Sequence, residues 1–153
     1  MLLNAIPDVR LQHDAPLSLL RVAWTGGAGL QSFRVGSMQL AGLAQRLRVQ
    51  NCLLEMDTLP DLSAYDQIWL GLHWLPEVFQ LPLQQVVFTI KPERVYHQAA
   101  IDSLLALARP FIRFDVQFFE QPRAALRWLT HDSPQLPALL AEWEAVISQP
   151  ELQ

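Results

Sequence analysis

The sequence predicts an α/β fold: a five-stranded, mixed but mostly parallel sheet that opens with an edge hairpin and carries its helices mainly on one face. Three observations lead there. Runs of strand length alternate with longer stretches of helical periodicity, the pattern of strand–helix units joined by right-handed crossovers. The first two strand runs are separated only by the turn Asp14-Ala15-Pro16, which calls for an antiparallel pair. The chain has 153 residues, 51% of them hydrophobic and 17% charged, which suits a single domain with a substantial core.

Residues 1–7 read as an irregular or edge-pairing lead. Val9, Leu11 and His13 alternate with polar neighbours as a short edge strand, and Leu19 to Trp24 is the second strand. Gly26, Gly27 and Gly29 form a loop without the lysine of a phosphate-binding loop or dinucleotide spacing. Leu30 to Val49 reads as a long helix with Phe33, Ser37, Leu40, Ala44 and Leu47 on one face. The central strand follows, with Cys52, Leu53, Leu54 and Met56 as its apolar run. Pro60 stops it, and Ser63 with Asp66 has the spacing of a helix cap. That second helix runs to about Gln80, with Tyr65, Ile68, Trp69, Leu72, Leu75 and Phe79 expected inside and Trp74 expected elsewhere. Gln85 to Ile90 is a strand, Glu93 to Arg109 a helix, and Phe111 to Phe119 a strand of clear alternation. Pro122 opens a short helix to Thr130, and Leu136 to Ser148 is a last amphipathic helix.

Period two divides the strands into unequal faces. One collects Leu20, Val22, Trp24, Cys52, Leu54, Met56, Val86, Phe88 and Ile90. The other includes Arg21, Glu55, Thr89 and Arg113, which read either as paired charges on a partly wet face or as polar groups that orient a ligand. A second candidate lies after the central strand. Asp57, Asp61 and Ser63 occupy the carboxyl end of a strand beside a helix start, where α/β proteins place ligands. Glu55 and Asp57 share a face, so a small hydrolase using that carboxylate pair is the remotest reading.

Several chemistries lack their residues. The net charge of −4 gives no basic footprint for nucleic acid. His13, His73, His97 and His131 fall on different elements, and Cys52 is the one cysteine, so neither a zinc cage nor a disulfide framework is expected. No nucleophile elbow, redox pair or dinucleotide motif is present, and no cofactor is expected. No apolar run approaches the ~20 residues of a membrane span, and the opening residues lack the pattern of a signal peptide, so a cytoplasmic protein is expected.

The order of elements, with VAWTGGAGLQSF, CLLEMDTLPDLS, QIWL and FFEQPRAALRWL, resembles the STAS fold of anti-sigma-factor antagonists, particularly small bacterial STAS-like proteins, and the related CRAL-TRIO lipid-binding domains. The resemblance covers about residues 8 to 131. It implies a STAS-like domain over residues 1–131, followed by a linker and helix over 132–153. It also implies a non-catalytic module that binds a protein partner, or a carrier or sensor of a small apolar, lipid-like ligand. In the antagonists a serine at the start of the second helix is phosphorylated; Ser63 matches that position, though Leu62 precedes it and the family's D-S-x-G signature is absent. The last helix carries Leu136, Leu140, Trp143 and Ile147 in one stripe, which must dock on its own chain or on a second copy; a homodimer with Trp143 buried is the expectation.

Overall fold

The computed structural model describes residues 1–25 and 30–148, without the side chains of residues 30–32 and 146–148; the glycine loop at Gly26, Gly27 and Gly29 lies outside the described residues. Six strands form one sheet in chain order. They are β1 (Leu2–Leu3), β2 (Val9–Asp14), β3 (Leu19–Trp24), β4 (Asn51–Glu55), β5 (Gln85–Thr89) and β6 (Asp115–Phe119). The first three are antiparallel neighbours and the last four parallel ones. The strand beyond the expected five comes from the lead, where Leu2 and Leu3 pair with Gln12 and Leu11. The last strand is shorter than its alternation suggests. Its neighbour β5 begins at Gln85, opposite Asp115, so residues 111–114 have nothing to pair with.

The order of the parallel strands never reverses. Crossovers of one hand therefore stack their helices on one face. That face carries α1 (Leu30–Leu47), α2 (Ala64–Trp69), which runs through a π-helical turn (Leu70–Trp74) into α3 (Leu75–Val78), and α4 (Val95–Ala108). Leu20, Val22, Cys52, Leu54 and Val86 meet Phe33, Leu40, Leu70 and Ile101 there in the larger core.

The α2–α3 segment buries a different row from the one its apolar residues mark. Tyr65 is 81% exposed, Ile68 55% and Leu72 66%, while Asp66, Leu70 and Val78 are buried. The inward row is Asp66, Leu70, Trp74, Val78, a spacing of four. In a regular α-helix such a row drifts around the axis, because four residues exceed one turn. The wider π turn removes part of that drift. Trp74 thus faces the core and donates its indole N–H to the Ser37 carbonyl at 2.8 Å.

The other sheet face is covered as well. Helices α5 (Pro122–Thr130) and α6 (Leu136–Ser148) pack on it. Leu126 and Leu129 of α5, with Leu136 and Leu139 of α6, close a second core over Leu19, Leu53 and Val87. His131 (φ 52°) and Asp132 (φ 55°) are both left-handed and make the sharp turn between the two helices. Helices thus lie on both faces, and the final helix docks on its own sheet. No helix of the described residues is long and apolar enough to cross a membrane.

Leu126 is fully buried at the centre of the second core. Leu126→Ala is expected to cost about 2–5 kcal/mol in denaturant unfolding. Leu72→Ala, on the exposed side of the π turn, is expected to stay within about 0.5 kcal/mol of the parent. Similar values for the two would contradict the burial pattern.

Candidate functional site

Between the first sheet face and helices α1–α4 lies an apolar cavity of about 120 Å³. Its floor is Leu20, Cys52, Leu54, Val86 and Phe88, the inward set of the period-two pattern. Its roof is thinned at four places where a helix presents alanine to the sheet: Ala41 and Ala44 of α1, Ala100 and Ala108 of α4. Protein interiors normally pack to the density of organic crystals, so unfilled space of this size is uncommon.

The lining contains no Lys, Arg, His, Asp or Glu. Its few polar groups are the Ser37 hydroxyl, the Cys52 thiol and two indoles. Burial pushes the Cys52 thiol up to about 12, so the sulfur is a neutral wall atom and not a nucleophile. The Trp74 N–H is bonded to Ser37. The Trp24 N–H is buried and has no acceptor among the described residues.

The segment 57–63 covers the upper end of the cavity, where Leu59 and Leu62 join the lining. It is pinned from three directions. Asp57 accepts the backbone N–H of Lys91 at 2.8 Å. The Thr58 hydroxyl donates to the Trp24 carbonyl. The Leu59 carbonyl lies 2.6 Å from Nε2 of the buried His97; a carbonyl only accepts, so Nε2 carries the hydrogen. Asp61 is exposed, with its carboxylate 4.0 Å from His97. Ser63 caps α2: its Oγ accepts the Asp66 N–H at 3.1 Å and donates to the Asp66 carboxylate at 2.8 Å. Arg34 binds the other carboxylate oxygen at 2.8 Å. Asp57, Asp61 and Ser63 therefore lie on one cover but do not converge on a common point. Asp57 and Ser63 serve as fasteners.

On the second face Arg21 and Glu55 pair at 2.8 Å, with Arg21 only 4% exposed. The Arg21 guanidinium lies 4.0 Å from the ring centre of Trp143, which is itself buried. Gln12 donates to the Leu139 carbonyl at 2.8 Å and to Glu142 at 2.9 Å, fixing α6 over β2 and β3. That bond, with help from the Met1 amine, holds the Glu142 carboxyl below its usual range. Thr89 stands beside Glu55 in register, fully buried, its hydroxyl without a partner among the described residues. Arg113 is exposed and precedes β6, so it does not join this group. Of the two readings of these residues, Arg21 and Glu55 do pair, and the face on which they would orient a ligand is roofed by α5 and α6. Leu136 is buried and Leu140 half-buried against that roof, while the side chain of Ile147 lies outside the described residues. Glu55 and Asp57 are each engaged by a different partner, Arg21 and Lys91.

The cavity residues had one sequence signal, the alanines at inward helix positions, and the His97 fastening had none. Among the described residues no group of three or more His, Cys, Asp or Glu gathers as metal ligands. No family model, curated protein or solved structure matches the chain.

Removing one member of a buried ion pair strands the other, so Glu55→Ala is expected to destabilise by about 3–5 kcal/mol. The double variant Arg21→Met/Glu55→Leu is expected to recover most of that loss in the same unfolding assay. A double variant as unstable as the single one would argue against the pair's isolation under α6.

Burial tends to raise the Asp66 carboxyl, but the hydrogen bonds from Arg34 and Ser63 and the Arg34 charge outweigh it and hold the group below its ordinary range. A carboxyl lowered in the fold stabilises above its unfolded value, about 3.9, and the contribution fades as the pH falls through the folded value. The stability gap between the parent and Asp66→Asn is therefore expected to be full at neutral pH and to narrow below about pH 4. A gap unchanged from neutral to acid would rule this out.

Proposed function

We propose that this chain is a carrier or sensor of a small apolar ligand held between the sheet and helices α1–α4. The observation that supports it is the cavity: about 120 Å³, roofed by alanines, without a charged group in its wall. An engineered apolar cavity of ~150 Å³ stays dry and binds benzene, so a void of this scale takes a ring or a short chain. Apolar space of this scale has a physical use when something apolar fills it. The lipid-binding relatives of the STAS-like arrangement point the same way. Nothing about the site suits acid–base or nucleophilic work, because its wall carries neither a carboxylate nor an imidazole and its thiol is neutral.

Native mass spectrometry of protein taken from cells is expected to show a mass above that of the chain, lost on organic extraction. Extracted protein is expected to gain stability with benzene, approaching about 2.7 kcal/mol at a hundredfold excess over Kd. Ala44→Leu, which fills the void, is expected to abolish both effects while leaving the fold intact. Ligand-free protein that benzene does not stabilise would remove the reading.

A second reading has its own observation. Tyr65, Ile68 and Leu72 form an exposed apolar stripe on α2 and the π turn, beside the Asp57–Ser63 cover. A STAS-like interaction module would present that stripe to a protein partner, and a second copy of the chain is one such partner, since a two-fold dimer covers a shared surface reciprocally. Phosphate on Ser63 sets a dianion against the Asp66 carboxylate and undoes the capping box, so modification there would loosen the cover. Sedimentation of the parent and of Ile68→Asp/Leu72→Asp separates the cases. A dimer that the double variant dissociates supports the docking stripe; monomers throughout turn it down for self-association.

A further inference from the structure

The two margins of the sheet end differently. On one side the outer strand β1 has two residues, Leu2 and Leu3, and the Met1 amine before it meets Glu142 at 2.9 Å. A very short outer strand offers little for another chain to pair with. On the other side the sheet ends at β6. Asp115 and Gln117 are exposed and Phe118 is 39% exposed, so this margin stands open.

The backbone of β6 is directed outward at alternate residues. The Asp115 N–H donates to the Gln84 carbonyl at 2.9 Å, and the Phe119 carbonyl accepts the Ile90 N–H at 3.1 Å. Peptide groups alternate along a strand, so those of Val116 and Phe118 point away from β5. Residues 115–119 contain neither proline nor lysine, the usual means of blunting an edge, and they pair with β5 without a bulge. Strand patterning also runs past the paired length. Ile112 is already extended (φ −72°, ψ 124°), and Ile112, Phe114, Val116 and Phe118 alternate with Arg113, Asp115 and Gln117. The pairing with β5 begins only at Asp115.

We infer that β6 docks on β6 of a second copy of this chain, antiparallel, about a two-fold axis at Val116. That register is self-complementary. On the side of helices α1–α4, Val116 meets its own counterpart and Phe114 meets Phe118 of the second copy. This continues the aromatic row in which Phe118 stacks on Phe88 at 5.3 Å. On the other side Asp115 meets Gln117, which can donate to it. An axis at Asp115 would set two aspartates opposite each other, and an axis at Gln117 would set Phe114 against Glu120. The pairing draws in residues 112–114, which carry strand alternation beyond the reach of β5. It is independent of the ligand reading and uses other residues than the Tyr65, Ile68 and Leu72 stripe.

Sedimentation of the full chain over about 1–200 µM tests it, because so small a contact suits a micromolar Kd. A monomer–dimer equilibrium is expected. Gln117→Asp sets a carboxylate opposite Asp115 and is expected to weaken the dimer at least about threefold. Gln117→Lys sets an ammonium there and is expected to tighten it by a similar factor, since each change acts twice in a symmetric pair. Gln117 is exposed, so both variants are expected to unfold like the parent in dilute solution. In concentrated ¹⁵N-labelled parent, the Val116 and Phe118 amides are expected to exchange slowly, and in Gln117→Asp quickly. A monomer at every concentration overturns the inference. So does a dimer indifferent to both changes at Gln117, or one in which those two amides exchange quickly. Dissociation by Ile68→Asp/Leu72→Asp instead would move the contact to the stripe and overturn it as well.

Discussion

A strand order that never reverses governs this structure. In doubly wound sheets the order turns back on itself, and the crevice at the turning point receives the ligand. Here β3, β4, β5 and β6 follow one another across the sheet. With crossovers of one hand, every intervening helix falls on the same side. That side becomes thick and has no crevice at the strand ends, so the space available to a ligand lies beneath the helices. The opposite side would be bare without α5 and α6, which follow the last strand and are free to cross over to it.

The two faces solve different problems with the same strands. The even-numbered residues of β3, β4 and β5 are apolar and lie under helices that leave a void above them. The odd-numbered ones include Arg21, Glu55 and Thr89, which need partners if they are to be covered. Arg21 has a carboxylate on one side and the Trp143 ring on another, so its charge is met by both an ion and a quadrupole. A face that looks half-wet in the sequence is thus covered over its middle strands, where Arg21 and Glu55 neutralise each other, while Asp115 and Gln117 at its edge stay exposed.

Much of this was legible in the residues, and the reasons for the rest are specific. Alternation placed β2 to β5, and the cap at Ser63 with Asp66 was readable from spacing alone. The face of α2 was not, because the reading assumed a regular helix and an apolar inner row. A π turn shifts the row, and a buried aspartate held by Arg34 takes an inner position that hydropathy assigns to solvent. Arg113 was misplaced for a different reason: alternation continues past the point where a neighbouring strand exists to pair with. The candidate site divides in the same way. Asp57, Asp61 and Ser63 do gather on one segment, but what that segment encloses depends on space between distant elements, and a void has no residue to represent it.

The bond between Gln12 and the Leu139 carbonyl joins residues 127 apart in the chain. Closing a loop of that length carries a large share of its entropy cost before any contact rewards it. On contact order the second sheet face is expected to close after the first, which can assemble from neighbouring strand–helix units. A sheet not yet covered by α6 would expose Arg21 and Glu55 to water, and charges on an open sheet surface disfavour adhesion to other chains. The pair that is awkward to bury would, over that interval, be a solubilising patch.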